Sequence, residues 1–265
     1  MIDLKEICNE IELAAIETGA YILKESKEFD VSRAESKGLN DLVSYVDKGA
    51  EKMLVEKLSR LLPEAGFIAE EGTSTKKGLK YCWVIDPLDG TTNFLHGLHP
   101  YAISIALMEY DKVIAGIIYE VSGNETFTAW KDGGAWLNGL PIHVSNTTRL
   151  ADSLVATGFP YSNFDRLEPY MNCLTHLVKK TQGIRRLGSA AIDLAYVACG
   201  RFDAFYEYDL HLWDIAAGII LVREAGGKVC DFSGSEDNIT GEEIVAANCS
   251  VYSELQEIVY KFMNN

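Results

Sequence analysis

Apolar side chains at Leu4, Ile7, Ile11, Ala14, Ala15, Tyr21 and Ile22 recur about every 3.6 residues, a spacing that places them on one face of an amphipathic helix over 3–28. The spacing returns at Val46, Ala50, Met53, Leu54, Leu58 and Leu61 and stops at Pro63, which predicts a second helix over 44–62. The stretch between them, 30–41, mixes charge, Gly and Asn without a sustained period, so a loop or short hairpin is expected there.

Beyond Pro63 the period shortens. Phe67-Ile68-Ala69 suits a short strand that ends on Glu70-Glu71-Gly72, and Tyr81-Cys82-Trp83-Val84-Ile85 suits a buried strand bounded by a turn. Strand-like runs over 101–109, 113–119 and 125–130 follow with short turns, and Gly133-Gly134 and Asn138-Gly139 are turn signals, which together predict an antiparallel meander. From about residue 145 the two patterns alternate. Strands are predicted over 153–157, 184–187, 202–206, 227–231 and 243–247, and helices over 165–179, 189–199, 213–225 and 251–263. The fold class expected is mixed α/β, with an N-terminal α+β subdomain over 1–145 and a C-terminal α/β subdomain over 146–265. No Pro/Ser-rich linker separates them, so one compact unit with a broad shared interface is expected.

Composition narrows the function classes. The 265 residues are 48% hydrophobic and 24% charged, as in an ordinary soluble enzyme. The sequence shows neither a signal segment nor an apolar stretch of the ~20 residues that span a bilayer, so a cytoplasmic protein without a membrane partner is expected. Cys8, Cys82, Cys173, Cys199, Cys230 and Cys249 form no C-x-x-C pair and lie mostly in apolar runs, the pattern of free thiols in a reducing compartment. A formal charge of -15, with no basic run longer than a pair, argues against direct nucleic-acid binding. Lys76-Lys77, Lys179-Lys180 and Arg185-Arg186 are expected to be solvated charges. An acidic protein can still take an anionic small molecule if cations convert its carboxylates into a receptor.

The acids themselves suggest those cations. Residues 83–94 read W-V-I-D-P-L-D-G-T-T-N-F, with Asp86 and Asp89 emerging where a strand meets a loop. If the turn brings the two carboxylates to about 4 Å, their repulsion at an effective dielectric of about 20 is roughly 4 kcal/mol. Taken singly, the other acids have ordinary readings. Asp214 suits an N-terminal cap or first-turn acid of the helix W-D-I-A-A-G-I-I-L-V-R-E-A-G-G, and Ser44-x-x-Asp47 resembles a variant capping box. Glu70 and Glu71 suit solvated turn charges. As a set, Glu70, Asp86, Asp89 and Asp214 form an all-oxygen group suited to Mg²⁺ or Mn²⁺, whereas His96 and His99 lack the matching acid helix or thiol pair that zinc would need. Gly90 would let backbone approach a ligand closely, and the Thr91 hydroxyl could bind a phosphate oxygen or orient a water.

D-G-T also occurs in haloacid dehalogenase-like phosphatases, but their D-x-D-G-T spaces the acids by two residues, and here the spacing is three. The chain resembles instead, over essentially its full length, the inositol monophosphatase family of lithium-sensitive, metal-dependent phosphomonoesterases related to fructose-1,6-bisphosphatase. The resemblance is carried by W-V-I-D-P-L-D-G-T-T-N-F, by W-D-I-A-A-G-I-I-L-V-R-E-A-G-G over 213–227, and between them by G-S-A-A over 188–191 and Y-E-Y-D-L-H-L-W-D over 206–214. It implies a layered αβαβα sandwich, generally a homodimer, with two or three Mg²⁺ ions per site. By motif position, Glu70, Asp86 and the Leu88 carbonyl would hold a first ion, and Asp86, Asp89 and Asp214 a second. Asp47 would pair with Thr91 to orient the attacking water, and the Gly90 and Thr91 amides would receive the phosphate. Ser189, Ala190 and Glu207 would contact the alcohol part, and Lys37, four residues before Asp41, would be a loop lysine facing phosphate or metal. The implied substrate is an inositol monophosphate or similar ester. NADP 2′-phosphate, fructose 1,6-bisphosphate and 3′-phosphoadenosine 5′-phosphate are alternatives within the same chemistry, although Thr92-Asn93-Phe94 resembles the inositol branch. A regulatory role in a transcription or RNA-processing complex is the alternative of another class.

Overall fold

A strand whose apolar residues run without a polar break must be covered on both faces, and the run at 81–85 lies at the centre of such an arrangement. The computed structural model describes residues 2–27, the backbone of 35–38 and 41–43, and residues 45–74, 76–236 and 241–264. Seven strands form one sheet in sequence order: β3 (Gly66–Ala69), β4 (Tyr81–Asp89), β5 (Ala102–Glu109), β6 (Lys112–Glu120), β7 (Glu125–Trp130), β8 (Ala135–Leu137) and β9 (Leu140–Ile142). All neighbours are antiparallel except β3 and β4, which run parallel. The predicted meander is thus present, and the Asn138-Gly139 signal turns β8 into β9.

The two N-terminal helices, α1 (Leu4–Ser26) and α2 (Tyr45–Leu61), cover one face of this sheet. Ile7, Ile11, Ile22, Val46, Leu54 and Leu58 meet Trp83, Ile85, Ile103 and Ile105 there. The intervening 30–41 stretch contains the short antiparallel pair β1 (Glu35–Gly38) and β2 (Asp41–Val43), in keeping with a hairpin. The side chains of Lys37 and Asp41, and Ser44 of the expected capping box, lie outside the described residues.

On the other face lie α5 (Ala190–Ala198) and α6 (Leu212–Glu224), which pack on each other and on a second sheet. That sheet contains β10 (Leu154–Thr157), β11 (Gly183–Arg185), β12 (Ala204–Tyr208), β13 (Lys228–Cys230) and β14 (Glu243–Ala247), in the order β11-β10-β12-β14-β13. Helix α6 is apolar nearly all round because it is sandwiched, its residues sharing one core with Val84 and Ala106 of the first sheet and Phe205 and Ala246 of the second. Beyond the second sheet, α4 (Leu167–Val178) and α7 (Tyr252–Met263) close a third core around Tyr170, Tyr206 and Val245. The layers therefore run α, β, α, β, α. A short helix α3 (Thr91–Leu95) follows β4. No helix among the described residues is long and apolar enough to cross a membrane.

Candidate active site

Two acids three residues apart on a regular strand would face opposite sides of the sheet. The structure resolves this with a bulge. Asp86 stands opposite Ser104 of β5 and Asp89 opposite Ala102, so three steps on β4 match two on β5, and the extra residue brings both acids to one cleft. The strand was expected to stop at Ile85 with both acids in a following turn; instead β4 continues to Asp89. Pro87 is accommodated because a bulge spares it the ladder N–H it lacks. The Leu88 amide donates to Asp86 Oδ1 at 2.9 Å. Gly90 then takes a φ of +91° and leads into α3. A Cβ there would lie 3.1 Å from the Pro100 carbonyl oxygen, so both conformation and space require glycine.

The remaining expected residues arrive from five other elements. Glu70 follows β3, whose parallel pairing sets Ala69 beside Ile85, and the Glu70 amide donates to the Ile85 carbonyl at 3.2 Å. Asp214, third residue of α6, accepts the His211 amide on Oδ2 at 2.6 Å, the return bond of a capping box. It is thus a helix-end acid and a lining residue of the cleft together. Ser189 caps α5; its hydroxyl donates to Asp89 Oδ2 at 2.6 Å and accepts the Ile192 amide at 3.3 Å, while the Ala191 amide also donates to Asp89 Oδ2, at 2.7 Å. Ala190 and Glu207, the latter on β12, line the cleft beside them. Asp47, buried on α2, accepts the Thr91 hydroxyl at 3.0 Å, and the Leu88 carbonyl accepts the same hydroxyl at 2.9 Å.

The cleft encloses about 260 Å³. Burial, then the charges of Glu70, Asp89 and Asp214, raise the Asp86 pKa well above the usual carboxylate range. Burial and the Asp89 charge do the same to Asp214. Asp89 is pushed up to about 6 by burial, against the Ser189, Ala191 and Gly90 donors that favour its charged form. Several carboxyls gathered in one cleft, with Asp86 buried, favour a proton or a cation among them. Among the described residues, no three His, Cys, Asp or Glu side chains are drawn tightly enough to enclose an ion as they stand. The donor set, four acids and no soft ligand, nevertheless fits hard divalent cations that keep several waters. The Gly90 amide, expected to receive phosphate, faces the Asp89 carboxylate in this arrangement.

The profile of the Inositol monophosphatase family matches residues 3–264. The chain belongs to the inositol monophosphatase family. It is 42% identical over 247 residues to the Nus factor SuhB of Pseudomonas aeruginosa, covering 91% of each chain. It is 38% identical over 256 residues to the inositol-1-monophosphatase of Mesorhizobium japonicum, covering 96% of each. Among solved structures it is similar to the Thermotoga maritima IMPase, at 35% identity and a TM-score of 0.86 over 95% of both chains. The layered architecture is that of inositol monophosphatase structures.

Beyond the expected residues, the structure brings in others. Glu51, fully buried on α2, accepts the Glu71 amide and the Thr73 amide, each at 2.7 Å, and so holds the turn that carries Glu70. Its signal was its place four residues after Asp47, on the same helix face. Asp193 lies buried in the cleft lining with Oδ1 lacking a hydrogen-bond partner; an acid inside the apolar run Ala190–Ala198 was readable. Arg186 is exposed, as expected of a solvated cation, and it also lines the cleft and donates to the Tyr161 hydroxyl at 2.9 Å. Its place in the cleft had no local sequence signal, while Asp209, which binds the 161–163 backbone, lies in the Y-E-Y-D-L-H-L-W-D motif with no role expected of it.

Proposed function

We propose that this protein is a Mg²⁺-dependent phosphomonoesterase that hydrolyses myo-inositol monophosphate, or a similarly small phosphate monoester, by attack of water. The observation that carries this reading is the convergence of Glu70, Asp86, Asp89 and Asp214 on one cleft beside the start of α3. Two or three ions held by Glu70, Asp86, the Leu88 carbonyl, Asp89 and Asp214 would neutralise the phosphate, lower the pKa of water and stabilise the leaving alkoxide.

The chain's own groups supply the orientation. The Thr91 hydroxyl has one proton and two nearby acceptors, Asp47 and the Leu88 carbonyl, and its lone pairs accept a hydrogen bond from water. A water donating to that oxygen is aimed by it, and Asp47 takes the proton that Thr91 passes on. The Thr91 amide, at a helix start without an intrahelical acceptor, binds the phosphate, and the Gly90 amide joins it on leaving Asp89. Ser189, Ala190 and Glu207 face the alcohol. Phosphate release should be measured with Mg²⁺ on inositol 1-phosphate, NADP, fructose 1,6-bisphosphate and 3′-phosphoadenosine 5′-phosphate, with Asp86→Asn protein as the blank. Activity that survives in folded Asp86→Asn protein would remove the site assignment.

The Pseudomonas relative named a Nus factor supports a second reading, association with a transcription complex. Capture of transcription proteins equally by wild-type and Asp86→Asn protein would support it; capture of none would remove it.

A further inference from the structure

One wall of the cleft includes Gly158, Tyr161 and Ser162. One side chain gathers the backbone N–H groups of its 161–163 stretch. Asp209, the residue after β12, has a φ of +64°, a left-handed conformation that Asp tolerates better than most residues with a Cβ. Its Oδ2 accepts three successive backbone N–H groups, from Tyr161 at 2.9 Å, Ser162 at 2.8 Å and Asn163 at 3.1 Å, and the Ser162 hydroxyl donates to Oδ1 at 3.1 Å. Successive amides converging on one point form an anion-binding concavity. Here the protein fills it with its own carboxylate, and Asp209 itself lines the same cleft as the site acids. The guanidinium that could attract a second anion, Arg186, is engaged by the Tyr161 hydroxyl and lies in the field of Glu207 and Asp193.

We propose that Asp209 is a specificity-determining residue: by occupying the three-amide receptor with its own negative charge it keeps a second phosphate out of the cleft, so that the enzyme selects phosphate monoesters whose alcohol part is uncharged. This rests on the phosphomonoesterase reading and deepens it, since it separates polyol phosphates from bisphosphates and phosphorylated nucleotides. Selectivity of this kind is built by repulsion of the wrong substrate as much as by attraction of the right one.

A plain staple for the 158–164 segment would make different demands. Asp209→Asn keeps a side-chain oxygen for the amides and loses the charge. Asp209→Gly suits the backbone angle and empties the receptor. The experiment compares kcat/KM on inositol 1-phosphate and on fructose 1,6-bisphosphate for wild type and both variants, alongside calorimetric titration of fructose 1,6-bisphosphate with Mg²⁺ present and circular dichroism to verify folding. The proposal expects the ratio of the two kcat/KM values to move toward the bisphosphate by about tenfold or more in Asp209→Gly, and in the same direction in Asp209→Asn, as release of charge-assisted donors implies. Bisphosphate binding should tighten about tenfold in Asp209→Gly on the same ground. A staple would instead leave Asp209→Asn at wild-type values and weaken Asp209→Gly equally on both substrates, and that result overturns the proposal. If neither ester is hydrolysed by any of the three proteins, the phosphomonoesterase reading falls and the titration decides alone: tighter binding to Asp209→Gly upholds the exclusion by Asp209, and equal or weaker binding overturns it.

Discussion

Replacing Glu51 with alanine isolates the tether between α2 and the turn that carries Glu70. The carboxylate is fully buried and takes two backbone N–H groups, from Glu71 and Thr73, each at 2.7 Å. A hydrogen bond to a charged acceptor contributes about 1.5–3 kcal/mol, so two give about 3–6 kcal/mol. Thr73 lies exposed and Glu71 half-buried, so the released amides recover part of this by turning to water. The expected net loss in Glu51→Ala is about 2–4 kcal/mol. Glu51→Gln keeps one acceptor oxygen and sets its NH₂ against the second amide, and should lose about 1–2 kcal/mol.

Urea denaturation of metal-free protein measures the loss, provided the slope with denaturant is unchanged. The same variants carry a second signature. Because Glu51 fixes the backbone beside Glu70, the Mg²⁺ concentration for half-maximal phosphate release should rise about tenfold in Glu51→Ala, in line with loss of an outer-shell partner of a metal ligand. An alanine variant within about 0.5 kcal/mol of wild type, with an unshifted Mg²⁺ requirement, would show that the turn holds itself and that the reasoning about α2 is wrong.

Two other outcomes follow from the site. Thr91→Val keeps the shape of the side chain and removes the hydroxyl between Asp47 and Leu88; kcat should fall about 100-fold, with Thr91→Ser restoring most of it, and a valine variant at the wild-type rate would take the hydroxyl out of the mechanism. In EDTA, thermal unfolding should show stability falling as pH rises from about 4 to about 7: Asp89 titrates at about 6 in the folded chain against about 4 when unfolded, so the folded state holds more protons between those values and loses its advantage as they leave. Mg²⁺ should remove that decline, and a flat or rising profile in EDTA would contradict the account of a site acid raised by burial.

Much of this was legible because periodicity and motif agreed. The α1 and α2 stripes, the meander and the apolar α6 were readable from periodicity, whereas the order of the layers came from the resemblance, because a pattern shows which face is buried and not what covers it. The misjudged end of β4 has a definite cause: Pro87 and two acids looked like a strand terminator, whereas a bulge tolerates the missing N–H and lets pairing continue to Asp89. The place of the exposed Arg186 at the cleft was not legible. Its partner Tyr161 is 25 residues away on a different wall of the cleft, a pairing that no local pattern encodes. Glu51 and Asp193 lay between these cases, since a buried acid on an apolar face is visible in sequence while its task depends on what packs against it.

The three aspartates share one physical device. Asp86 takes the Leu88 amide on Oδ1, Asp214 takes the His211 amide on Oδ2, and Asp89 takes the Ser189 hydroxyl and the Ala191 amide on Oδ2. In each, one oxygen is engaged by a donor fixed in the fold. That sets the carboxylate's orientation before any ion arrives, which is how supporting donors raise affinity without adding ligands. It also explains why the acids can be kept close despite repulsion. The donors favour the charged forms, while burial opposes them at all three and neighbouring acids oppose them at Asp86 and Asp214, an opposition that a divalent cation would relieve. Asp86→Asn lowers the repulsion and leaves Oδ1 for the Leu88 amide. Metal-free Asp86→Asn protein should therefore be at least as stable as metal-free wild type while its activity is lost, the trade expected where a site is built for its ligand rather than for the empty fold.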